Sequence, residues 1–194
     1  SGVTLPSPDS EIIAYVGELF QLASEEWPEL EGTGRTTFTG PIEYRGVSHE
    51  LEGVSLSGPY VLCSADSLYI RGDCRLKGVI IVAEKVCVGT GFQGVMQIFA
   101  HDICLEKQVV LQAGSGLWVN SCISGGTVRL GENCRVDGYI VVAGNTERPG
   151  SPYAQYRQPP SAKVKGLVYV DGIADVQGVV EGSLYAGELY HFAP

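Results

Sequence analysis

Branched aliphatic residues recur along this chain with a period of six. Ile70, Leu76, Val82 and Val88 open the series. After an irregular stretch it resumes at Phe99, Leu105, Leu111, Leu117 and Ile123. One step of seven leads to Leu130, Val136 and Val142, and the beat returns at Val164, Val170 and Val176. A period of six fits neither a helix face nor the long strands of a sandwich. It fits a chain that turns a corner after each short strand, three strands closing one coil of about eighteen residues.

Two further columns agree with the beat. Side chains alternate across a strand, so positions two before each aliphatic residue face the same way. These carry Leu68, Cys74, Ile80, Val86, Ile103, Val109, Ser115, Val128, Cys134, Ile140, Ala162, Val168 and Ala174, nearly all apolar or small. Gln97 is the exception. Two after the beat, glycine is frequent, as at Gly58, Gly72, Gly78, Gly138, Gly166, Gly172 and Gly178, where a corner needs a residue tolerant of positive φ. The pattern predicts an all-β chain, a single-stranded parallel β-helix of about six to seven coils. A right-handed coil is favoured over a left-handed one.

The first thirty residues follow a different rule. Ile12, Tyr15, Val16, Leu19, Phe20 and Ala23 recur at three- and four-residue spacing, which predicts an amphipathic helix over residues 7–27. Ser7 is its expected N-cap, Pro8 its first turn, and Asp9 and Glu11 suit the positive end of the dipole. Pro28 ends it. The division expected is a capping helix in residues 3–30 and a β-helix over 31–194. The helix is read as a cap over one end of the solenoid, where open strand edges invite aggregation. A helix that docks on a partner or continues a removed membrane anchor is the sharper, less favoured reading. Within the β-helix, residues 145–161 form a loop insertion that replaces no strand, since the beat resumes at Val164.

Composition narrows the functional classes. The formal charge of −9 argues against nucleic acid, whose phosphates need clustered Lys and Arg. No run of eighteen apolar residues is present, so no direct membrane insertion is expected. Ser1-Gly2 reads as the remnant of an expression tag, so a membrane-associating segment ahead of residue 3 is compatible with the sequence. A cytoplasmic setting is favoured. The six cysteines lack C-x-x-C pairs and zinc spacing, and read mostly as reduced apolar fillers. No cofactor is implied.

The segments Val164-Lys165-Gly166 and Val170-Asp171-Gly172 through Gly182, with Cys74-Arg75-Leu76-Lys77-Gly78 and Cys134-Arg135-Val136-Asp137-Gly138, resemble the bactofilins, bacterial polymer-forming cytoskeletal proteins. The resemblance spans roughly residues 54–190. It implies a right-handed β-helix that joins end to end without nucleotide, and hence a structural or scaffolding role. The N-terminal helix and the long insertion depart from that family, and a helical cap would block one end. Leu130-Gly131-Glu132-Asn133-Cys134-Arg135-Val136 is similar to a hexad of the left-handed hexapeptide-repeat proteins, many of them acyltransferases. Most other corners lack the glycine that family favours.

Candidate chemistry is sparse. His101-Asp102 is the only pair suited to general-base work on an acyl acceptor, and an exposed His beside an exposed carboxylate is the simpler reading. The spacing of His49, His101 and His191 gives no support to a carbonic-anhydrase-like metal site. Asp66, Asp73, Asp102, Asp137, Asp171 and Asp175 scatter among corners without forming the carboxylate pair that glycoside hydrolysis needs. Cys87, Cys104 and Cys122 are spaced to fall in one outer column on adjacent coils, where stacked thiols could pair or hold a soft metal, though a ladder of like residues beneath a covering segment such as the N-terminal helix is the favoured reading. In the insertion, Arg148, Tyr153, Tyr156 and Arg157 suit a protein contact, and a tolerated flexible insertion is the equally simple reading. The expectation is therefore a non-enzymatic structural or protein-interaction solenoid that binds protein partners or itself. The alternative is a carbohydrate-active or acyl-transferring β-helix enzyme with a site on an outer face.

Overall fold

A computed structural model of the chain describes residues 10–31, 35–37, 42–120, 126–143 and 155–190. After helix α1 (Ser10–Leu22), an entry coil contributes β1 (Arg35–Thr37), β2 (Glu43–Gly46) and β3 (Glu50–Leu51). Long and short strands then alternate: β4 (Ser55–Cys63) and β5 (Ser67–Ile70), β6 (Arg75–Val82) and β7 (Lys85–Val88), β8 (Gln93–Ala100) and β9 (Asp102–Leu105). The alternation continues through β10 (Val110–Asn120) and β11 (Val128–Leu130), then β12 (Arg135–Ala143) and β13 (Tyr156–Gln158). Two long strands, β14 (Lys163–Val176) and β15 (Val179–Tyr190), complete it.

The long strands stack as β1-β4-β6-β8-β10-β12-β14 and the short ones as β3-β5-β7-β9-β11-β13-β14, every pair parallel. The result is a β-solenoid of about seven turns. Each long strand bends near its middle, so a coil has three sides. One inward column runs Leu62, Ile81, Ile98, Leu117, Ile140 and Val168 through successive coils, all fully buried. A second runs Leu68, Val86, Ile103, Val128, Tyr156 and Ala174. Stacking like on like gives a dry interior, each aliphatic side chain contributing on the order of 1.5–3 kcal/mol of burial.

The bends demand glycine where the coils are closest. Gly166 has φ +136°, and a Cβ there would lie 1.9 Å from the Gly138 carbonyl oxygen of the preceding coil. Gly72 is needed for space alone: its Cβ would meet the Thr90 carbonyl oxygen at 2.1 Å.

Three features differ from the sequence expectation. First, the beat is one residue out of phase in part of the long stack. Ile81 and Ile98 face the interior, whereas Val82 and Phe99 face outward, following a register shift between Lys77 and Val79 at the β6–β8 bend. Gln97 therefore breaks no rule: it is an outward residue, and its Oε1 accepts a hydrogen bond of 2.8 Å from the Tyr139 hydroxyl.

Second, α1 lies along a flank of the solenoid and not over an end. Its Val16 and Leu19 are buried against the outward column Cys63, Val82, Phe99, Trp118 and Val141, with Phe20, Ala23 and Trp27 packed beside them. An outward column that is apolar on successive coils cannot remain in water, and the helix is its cover. Trp27 fixes the exit from the helix by stacking on Tyr44 (centroids 4.9 Å apart) and donating from Nε1 to the Leu22 carbonyl. Ile12, Ile13 and Tyr15 face solvent, each about half exposed. The expected N-cap, Ser7, lies outside the described residues. Among the described residues no helix is long and apolar enough to cross a membrane.

Third, the expected insertion 145–161 contains a strand. Tyr156–Gln158 is β13, paired with β11 and β14. Buried Gln158 ties this coil together. It accepts from the Tyr156 hydroxyl (2.9 Å) and donates to the carbonyls of Ala162 and Val179.

Candidate functional site

The short strands build the candidate site. Because their registers are in phase, one outward column reads Tyr69, Cys87, Cys104, Arg129, Arg157 and Asp175 across β5, β7, β9, β11, β13 and β14. Beneath it run the buried residues Leu68, Val86 and Ile103. A groove of about 700 Å³ lies along this face, with Lys85, Cys87, Asp102, Cys104 and Arg129 among its walls and His49 and Tyr69 at one end.

The two thiols are direct neighbours in the ladder, Cys87 opposite Cys104, and both are half-buried and unbridged. The expected third member, Cys122, lies outside the described residues. The position after Cys104 in the column belongs to Arg129. Hydrogen bonding from the adjacent Cys87 thiol holds the Cys104 thiol down at about 6, helped by the Arg129 charge against the opposing pull of burial and Glu106. The same hydrogen bond, followed by burial and the nearby Cys104 and Glu106 charges, pushes Cys87 up. The two thiols therefore titrate as a pair, in which the neighbouring Arg129 charge favours the thiolate on Cys104.

Glu106, at the corner after β9, supports the pair. Its Oε1 accepts from the Tyr69 hydroxyl (3.1 Å) and, more weakly, from the Cys87 thiol (3.8 Å). Its Oε2 accepts from the backbone and side chain of Thr90, both at 3.0 Å. Burial favours its neutral form, but these hydrogen bonds outweigh that and hold the carboxyl below its usual range.

The other predicted residues are not brought together. His101 and Asp102 are consecutive but point to different faces. His101 stacks on Phe20 of α1 (5.0 Å), its Nδ1 lies 2.7 Å from the Asn120 carbonyl oxygen, and its Nε2 lies 3.7 Å from Glu84. Asp102 faces the groove and accepts from the backbone and hydroxyl of Thr127, at 2.9 and 3.0 Å. As a pair they make no general-base site, because the helix occupies one ring face of His101.

Of the expected contact residues, Tyr156 is fully buried in the core and offers nothing to a partner. Arg157, next to it, is exposed in the outward column. Arg148 and Tyr153 lie outside the described residues. Among the described residues no group of three or more His, Cys, Asp or Glu side chains is placed to hold a metal ion. Cys63, Cys74 and Cys134 are buried fillers whose thiols burial pushes up.

A different kind of surface lies at the end of the stack. Among the described residues β15 pairs with β14 alone. Leu189 continues the column of Tyr156 and Ala174, yet it is 58% exposed, with no further coil over it among the described residues. Leu184 and Ala186 likewise continue fully buried columns and are only partly covered. Val179 is 54% exposed.

Comparison with known proteins found no match: no family model, no curated protein and no solved structure.

Proposed function

We propose that the chain is a non-enzymatic structural solenoid, bactofilin-like in its repeat, that assembles by stacking the β15 edge, its last described coil, against a second copy of itself. The observation that carries this reading is the exposure of Leu189 in a column that is otherwise fully buried. In a solenoid each coil is completed by the next, through backbone hydrogen bonds on one edge and side-chain columns inside. A terminal coil that presents both is complementary to another such coil, and self-pairing of this kind is closed and symmetric when end meets end. The flank position of α1 supports the reading further, because the helix leaves this end of the stack unobstructed. An enzymatic role on an outer face has less behind it, since His101 is engaged by Phe20 and Asn120.

The test uses Leu189→Glu and Val179→Glu, at positions exposed enough to accept charge without loss of the fold. Light scattering and negative-stain microscopy of the wild type should show a closed dimer. Both variants should be monomers with unchanged circular dichroism. Assembly that survives both variants would place the contact elsewhere and overturn the proposal.

A further inference from the structure

The outer groove carries chemistry that a scaffold does not require. We propose that Cys87 and Cys104 form a reversible dithiol–disulfide site on the flank of the solenoid, with a low-molecular-weight acidic disulfide as its oxidant. This inference is independent of the assembly reading.

Cys87 and Cys104 are in register on adjacent parallel strands, which stack about 4.8 Å apart. That spacing falls inside the range of about 4.4–6.8 Å that disulfides span between Cα atoms. Both side chains leave the sheet on the same outer face, and both reach the groove. The groove is large enough for a small peptide. Lys85 and Arg129 on its walls attract carboxylates, and Asp102 is occupied by Thr127. The remaining ionisable neighbours of the thiols are His49 and Tyr69 at the groove end and Glu106 behind Cys87.

The two sulfurs have distinct roles. Cys104, beside Arg129, is the nucleophile. Its thiolate attacks one sulfur of the small disulfide R–S–S–R, forming Cys104–S–S–R and expelling one thiolate, RS⁻. Cys87 then passes its proton to that thiolate and attacks the Cys104 sulfur. The protein disulfide forms, the mixed disulfide breaks, and a second RS⁻ leaves and takes a proton from water. Two thiols are oxidised and one small disulfide is reduced to two thiols, so electrons balance. The other described cysteines cannot compete, because Cys63, Cys74 and Cys134 are buried.

Residues 86–107 contain no Lys or Arg before Lys107, so trypsin releases both cysteines in one peptide. Folded protein is treated with oxidised glutathione, quenched in acid, digested and weighed. The wild-type peptide should lose two hydrogen atoms, with full recovery on reduction. Cys87→Ser should stop at a single glutathione adduct on Cys104, and Cys104→Ser should give neither product at a comparable rate. The wild-type reaction should rise through pH about 6 and move to higher pH in Arg129→Gln. A peptide that stays reduced, carries two separate adducts, or is linked to Cys122 would overturn the proposal. So would a reaction confined to the alkaline range of an ordinary thiol.

Discussion

At the residue scale, the solenoid is limited by how closely its coils approach at the bends. Gly138, Gly166 and Gly182 stand opposite one another on three successive strands. The Gly166 bend combines positive φ with a carbonyl oxygen where a Cβ would sit. Gly166→Ala must therefore either flip the bend or part the coils. It should lower stability by about 2 kcal/mol or more, read as a drop in the urea midpoint with an unchanged slope. An unchanged midpoint would mean that the bend is free to relax. The glycine column was legible because glycine often recurs two after the aliphatic beat. Gly72 was legible for a different reason than the one it serves, since its role is close approach and not positive φ. Arg129 was not legible as a neighbour of Cys104. Counting eighteen residues from Cys104 lands on Cys122, and the true step is longer, so the column could be read only once the ladder was seen. Tyr69 follows the same eighteen-residue count backwards from Cys87 and was within reach.

Among the elements, α1 is a cover for an apolar outer column. Period-six patterns treat every strand side as inward or outward by position alone. An outward run of Val82, Phe99, Trp118 and Val141 can look like core until its register is fixed. The helix itself was legible from its stripe, but its docking place was not, because the matching stripe belongs to strands distant in sequence. Leu19→Asp puts a charge into that interface, where it has no partner. The helix should detach while the coils remain. We expect a large gain in protease sensitivity within residues 10–30, with the β-type circular dichroism kept. Collective unfolding instead would show that the flank and the solenoid interior are one cooperative unit. β13 escaped sequence reading because it is only three residues long and is followed by Pro159-Pro160, the signature of a loop. Its Tyr156 serves as core, filling a column otherwise built of aliphatic and small residues.

For the whole molecule, the fold follows from the repeat, and the proposed function follows from where the repeat is left incomplete. Every interior coil is satisfied on both edges, and the last described coil is satisfied on one. Charge bears on this surface as well: a net charge of −9 opposes association at low salt, and screening weakens that repulsion. Stacking through β15 should therefore strengthen as salt rises, whereas a contact built on ion pairs would weaken. The most direct measurement is amide hydrogen exchange of residues 179–189 in dilute and in concentrated protein. Half of the amides in an edge strand point away from its partner and exchange freely until another strand arrives. Protection that rises with concentration in residues 179–189, and stays constant in the interior strands, is the predicted result. Exchange of this segment that does not change with concentration, while the protein assembles, would contradict stacking through the last coil.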